Sequence, residues 1–189
     1  MNQNRANSII TLSGVIGFIV VVIYLHILQI GYSPINQLMS ELALGQKGYF
    51  MLYAFISFSV ALLGALKILS SFNAHLAIKS FLGIASIAML GAGIFTLGNA
   101  ATLHISLVAL AFILVVLSMY LIPRLTNAFQ SPLSITICWG LSASTAIFVA
   151  LGHNIIPIGL AQRLAVSCIL LWLSWLAIFN STQQGGHGA

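Results

Sequence analysis

The sequence contains no Asp, and Glu41 is its one acidic side chain; with six Lys or Arg, charged residues make up 4% of 189. Soluble domains devote about one quarter of their residues to charge, so this composition excludes a water-soluble fold. A single carboxylate also excludes the chemistries that need two or more: paired acid and base catalysis, two-metal phosphoryl transfer and EF-hand calcium binding. No Gly-rich run ends in Gly-Lys-Ser or Gly-Lys-Thr, so the phosphate-cradling loop of nucleotide-binding proteins is missing. The formal net charge is +5, but the cations are scattered singly between apolar runs and form no patch or stripe for nucleic acid. Cysteine is scarce as well. Cys138 and Cys168 each lie inside an apolar run and read as small buried hydrophobes. The helix layout below separates them by on the order of 10 Å in depth, beyond disulfide reach.

Apolar residues are what the chain has in abundance: 60% hydrophobic, with a mean hydropathy of +1.12. A spanning helix needs ~20 mostly apolar residues, and six segments qualify: 9–30, 49–69, 77–97, 104–122, 134–152 and 160–179. The expected fold class is all-α, a polytopic bundle of six transmembrane helices. It forms one domain over residues 1–180, followed by a polar, Gly-rich tail, 181–189, expected to be disordered. The leader Met1-Asn-Gln-Asn-Arg5 mimics the start of a signal peptide. Its apolar run is too long for such a peptide and no small-residue cleavage site follows, so it is expected to stay as a membrane anchor. With the N-terminus cytoplasmic, Arg5, Lys67, Lys79 and Arg124 fall inside and Lys47 and Arg163 outside. That bias toward the inside favours two cytoplasmic termini.

Small residues at a spacing of four, Ala88/Ala92/Thr96 and Ser142/Ala146/Ala150, predict close helix contacts. Tyr24, Tyr32, Tyr49 and Tyr53 near the outer boundary, and Tyr120 near the inner one, read as interfacial belt residues. No internal repeat is evident, which leaves a transporter built from inverted halves unsupported. In the first outer loop, 31–48, Ser33-Pro34 makes an N-cap followed by Pro at the first helical position. Ile35, Leu38, Met39 and Leu42 then fall at helical spacing before Gly45. This predicts a short amphipathic helix against the outer membrane surface, with Glu41 on the flank of its apolar stripe.

The remaining polar groups gather at one level. His26 is ~6 Å below the outer end of the first span, and Arg163 is roughly 9 Å into the last one. His104 opens the fourth span and His153 follows the fifth, with Glu41, Asn99, Asn154 and Gln162 at the same face. An intramembrane cation costs ~2.5–3.5 kcal/mol on insertion scales and normally faces the bundle and a partner. Two readings of Arg163 are open: an ion pair with Glu41 that closes the outer loop over a polar pocket or receives an anionic head group, or an Arg that snorkels to the interface. Three outward histidines are enough to consider zinc, and two to consider haem, although their spacing matches no metal motif. Ser40 beside Glu41 is not a nucleophile elbow.

The stretch Gly31-Tyr32-Ser33-Pro34-Ile-Asn-Gln37-Leu-Met-Ser40-Glu41-Leu42-Ala43-Leu-Gly45 resembles the signature of the six-span prokaryotic membrane proteins of the domain-of-unknown-function 998 family. There a Tyr-x-Pro segment leads into a Ser-Glu-Leu-Ala element after the first span. His104 and the Gly159-Leu-Ala-Gln162-Arg163-Leu element are also similar to that family's pattern. The resemblance spans nearly the whole chain and implies a six-span architecture in a prokaryotic inner membrane. Where such proteins often carry Phe-Pro and an acid after the third span, this chain reads Phe95-Thr-Leu-Gly98-Asn99. The family supplies no established reaction.

Two functions are expected from these residues. In the first, an outer pocket of Glu41, His104, His153, Arg163, Gln162, Tyr32, Ser40 and His26 binds a lipid head group or small anionic ligand, or the bundle serves as an accessory subunit of a membrane complex. In the second, the protein is a metal-assisted hydrolase acting on a lipid at the outer leaflet. A lone carboxylate and dispersed histidines favour the first.

Overall fold

The computed structural model describes residues 3–152 and 154–185. Six helices follow one another: α1 (Gln3–Leu28), α2 (Met51–Ser71), α3 (Leu76–Ile94), α4 (Leu97–Leu125), α5 (Pro132–Leu151) and α6 (Ile158–Gly185). Each contains a stretch long and apolar enough to cross a membrane, and no strand occurs among the described residues. Helices are what such a sequence must form, because hydrocarbon offers no partner for a backbone N–H or C=O. Local chemistry sets the ends. His75 accepts a hydrogen bond from the Ala77 N–H at the start of α3, and Ser131 caps α5 with Pro132 in its first turn.

Each helix packs on its neighbours in the chain, and α6 returns to α1 and α2 to close the bundle. Where α1 begins, the Ser8 hydroxyl donates to Ala177 O at 2.9 Å and accepts from Asn180 Nδ2 at 2.8 Å. The start of α1 and the end of α6 therefore share one end of the bundle, called here the termini end. The segment between α1 and α2 lies at the opposite, loop end. The α1–α2 contact is made close by glycine: a Cβ on Gly14 would lie 2.5 Å from Ser57 O and 2.6 Å from Ala61 N. Between α2 and α3, Ser59 and Ser86 exchange hydroxyl hydrogen bonds (Oγ to Oγ 2.8 Å).

Three expectations change in detail. The first-loop helix is a 3-10 helix, Met39–Leu44, and Ser33-Pro34 opens only a turn. Its Met39, Ser40 and Leu42 are buried against the bundle rather than laid on the membrane surface. The loop carbonyls that an α-helix would use internally are turned toward α6. On α5, Ala146 and Ala150 face outward, and the buried stripe is Ser134, Cys138, Ser142 and Thr145, with the Ser142 hydroxyl donating to Val116 O. Helix α6 continues to Gly185, into the segment read as tail, where Ser181 and Thr182 hydroxyls donate to carbonyls of their own helix. Both cysteines are buried and free.

Candidate functional site

The site forms where the segment leaving α1 meets the start of α6. Gly31, at φ +90°, turns the chain back over the bundle in a conformation that suits glycine. The first N–H groups of a helix have no partner within it, and here the loop supplies one: Leu160 N donates to Ile35 O at 2.9 Å. In return the Gln162 side chain, through Oε1, accepts from Met39 N at 2.6 Å. The backbones come so close that a Cβ on Gly159 would lie 2.7 Å from Pro34 O and 2.8 Å from Ile35 O, and closer still to Gln37 O. Only glycine fits there.

Arg163, one turn further on, holds the rest. Its Nη1 donates to Gln37 O (3.0 Å) and Gly159 O (2.9 Å), and its Nη2 donates to Tyr32 Oη (2.5 Å) and His26 Nε2 (3.0 Å). All four terminal N–H groups of the guanidinium are thereby engaged. His26 Nδ1 lies 2.6 Å from Val22 O, a contact that requires a proton on Nδ1. Nε2 must then accept from Arg163, so this arrangement holds a neutral His26. Tyr32 Oη passes the bond on by donating to Leu38 O at 2.7 Å, and its ring meets that of His26 edge-on, centroids 5.1 Å apart. Burial raises the Tyr32 pKa above its ordinary value of 10.0; the hydrogen bond and charge of Arg163 pull it back, and the charge of Glu41 adds to the rise. Tyr32 is thus tied to Arg163, Leu38 and His26.

The expected ion pair between Glu41 and Arg163 is not formed. Glu41 folds back along its own turn, Oε1 accepting from Leu38 N at 2.9 Å and Oε2 from Gln37 Nε2 at 3.1 Å. Gln37 lies between the charges, its carbonyl on Arg163 and its side-chain amide on Glu41. Among the described residues no cation comes within ion-pair distance of the Glu41 carboxylate. Glu41 also lines a cleft of about 400 Å³ at the loop end, together with Gln29, Tyr32, Gln37, Leu44 and Gln46. Gln29 fixes the far wall, its Nε2 donating to Leu42 O (2.7 Å) and Gln46 O (3.2 Å).

His104 stands apart from this cluster. It is buried, with Nδ1 shared between Ala92 O (2.8 Å) and Phe95 O (2.9 Å), so it secures the end of α3. His153 lies outside the described residues. Ser40 is buried beneath the loop beside Met39 and Gln162, lining a void of about 20 Å³. Among the described residues, the Glu41 carboxylate is bonded to the loop and His26 to Arg163. No three potential metal-ligating side chains converge among the described residues, and Nε2 of His26, its one nitrogen with a lone pair, is taken up by Arg163.

Sequence reasoning did not single out Gln37, Gln29 or Gly159 as working parts. The available signal was position: one amide side chain just before the loop that holds the one acid, another a turn before that acid, and a glycine in the first turn of the helix that carries the deep cation.

Six apolar helices closing on one another, with a polar loop docked at one end, define a multi-pass α-helical membrane protein. The chain matches the family model described as Protein of unknown function (DUF998) over residues 12–178 and belongs to that family. No curated protein and no solved structure matches it.

Proposed function

We propose that this protein is a membrane-embedded binding protein whose loop-end cleft accepts the ammonium-bearing head group of a membrane lipid. One observation carries the reading, the allocation of charge. Among the described residues, Glu41 is the only charged one lining the cleft, and two protein donors leave its carboxylate with acceptor capacity to spare. Arg163, the natural receptor for an anion, spends its four terminal N–H groups inside the protein. An anionic ligand therefore meets an acid and neutral amides, whereas a cation meets a carboxylate. The apolar setting favours a lipid over a soluble amine: Ile27, Ile30, Ile35 and Leu44 are all exposed around the loop, at the depth where the first span ends.

Native mass spectrometry of the purified full-length chain, offered phosphatidylethanolamine or the uncharged diacylglycerol with the same acyl chains, tests the reading. Retention should favour phosphatidylethanolamine. Glu41→Gln keeps an oxygen for Leu38 N but removes the charge, and should weaken retention about tenfold or more, the effect of losing a charged hydrogen bond. Equal retention of the two lipids by the wild type, or an unchanged preference in Glu41→Gln, would overturn it.

A further inference from the structure

We infer that the termini end carries a second, separate lipid site, in which Arg124 binds the phosphate of an anionic phospholipid. The inference does not rest on the loop-end cleft. Tyr120 and Arg124 are four residues apart and share one face of α4, and Trp139 of α5 lies opposite. The Arg124 Cζ sits 4.4 Å from the centroid of the Tyr120 ring and 5.3 Å from that of Trp139. The two rings are stacked at 6.0 Å, and the Trp139 Nε1–H donates to Tyr120 O at 3.0 Å, which fixes the platform across the two helices.

A guanidinium resting on aromatic rings keeps its N–H groups free at its edge, because hydrogen bonding takes place in its plane. Among the described residues no oxygen accepts from Arg124, which is exposed in the last turn of α4. The chain's one acidic side chain is committed to the loop at the other end. The geometry thus presents a planar donor, held in orientation and unpaired, at the level of the head groups. That arrangement suits a phosphate, which takes two parallel N–H bonds from one guanidinium. Nearer the bilayer centre, Leu117 and Gly140 are exposed, and a Cβ on Gly140 would touch nothing within 4 Å, which leaves open surface for an acyl chain. A snorkelling arginine without a ligand needs neither the stacked rings nor the indole bond that fixes them.

The experiment compares phosphatidylglycerol with phosphatidylcholine on the purified full-length chain in detergent, by native mass spectrometry. The wild type should retain phosphatidylglycerol in preference. Arg124→Gln should reduce that preference on the order of fivefold, which corresponds to about 1 kcal/mol per interfacial cation. Lys67→Gln removes an exposed cation of α2 that is not stacked, and should leave the preference intact. Equal losses in the two variants would mean diffuse attraction and overturn the proposal, as would no loss in Arg124→Gln. A wild-type readout guards against a variant that fails to fold: brominated phosphatidylglycerol should quench the tryptophan fluorescence more than brominated phosphatidylcholine, and Trp139→Phe should abolish the difference. No difference between the two lipids in the wild type, or one that survives Trp139→Phe, also contradicts the site. Inorganic phosphate at millimolar concentration should not displace the lipid; displacement would make this a soluble-phosphate site instead.

Discussion

Arg163 acts as a staple because three of its four terminal N–H groups reach from α6 to acceptors on the loop and α1: the Gln37 carbonyl, the Tyr32 phenol oxygen and the His26 imidazole nitrogen. Arg163→Gln should therefore destabilise the protein by about 3 kcal/mol, within the range for losing charged hydrogen bonds in a half-buried setting. Thermal unfolding in detergent measures it. Tyr32→Phe keeps the ring against His26 but loses the hydroxyl's bonds to Arg163, Leu38 O and Gln37 O, and should cost about 1–2 kcal/mol. A pH dependence belongs to the same residue. The folded pKa of Tyr32 lies above 10.0, so the folded state holds the phenol proton more tightly than the unfolded one. Its contribution is complete below pH 10 and is lost as the pH rises through the folded pKa, when the donor to Leu38 O disappears. Wild-type stability should fall above pH 10 by more than that of Tyr32→Phe, and identical profiles would contradict the assignment.

At the scale of elements, the docking of the loop on α6 depends on backbone proximity. Gly159→Ala places a methyl group against three loop carbonyls and should lift the loop, costing about 2 kcal/mol or more. A thiol placed at the exposed Ile35 should then become more reactive in Gly159→Ala than in the parent. The spans were legible in the sequence because a bilayer imposes one length and one composition on every spanning helix. The loop was legible only as a place. Its turn residues suggested an α-helix, but the pull of α6's unpaired N–H groups and of Arg163 on the carbonyls of Ile35 and Gln37 is a tertiary effect absent from any local pattern. The same holds for Glu41 and Arg163. Sequence brought the two charges to one level, while the choice of Gln37 as the bridge between them depended on side-chain directions that spacing does not specify. On α5, the small-residue rule selected Ser142 correctly but the wrong rows beyond it, because this helix buries its polar stripe and turns two alanines outward.

At the scale of the molecule, polar chemistry is divided between two ends: an acid-bearing cleft at the loop end, and an arginine stacked on aromatic rings at the termini end. Lys67, Lys79 and Arg124 also lie toward the termini end, the distribution expected of the cytoplasmic side. Reporter fusions at Lys79 and at Gly185 should both read cytoplasmic, and a translocated reporter at either position would reverse the orientation. The account turns most heavily on one claim, that Arg163 is occupied in holding Tyr32 and the loop and is not free to receive an anion. A double-mutant cycle between Arg163→Gln and Tyr32→Phe, read by unfolding in detergent, tests it most directly. The account predicts a coupling of about 1–2 kcal/mol, the size found for residues in one hydrogen-bond network. Additive losses within about 0.5 kcal/mol would show that the two side chains act independently and would contradict it.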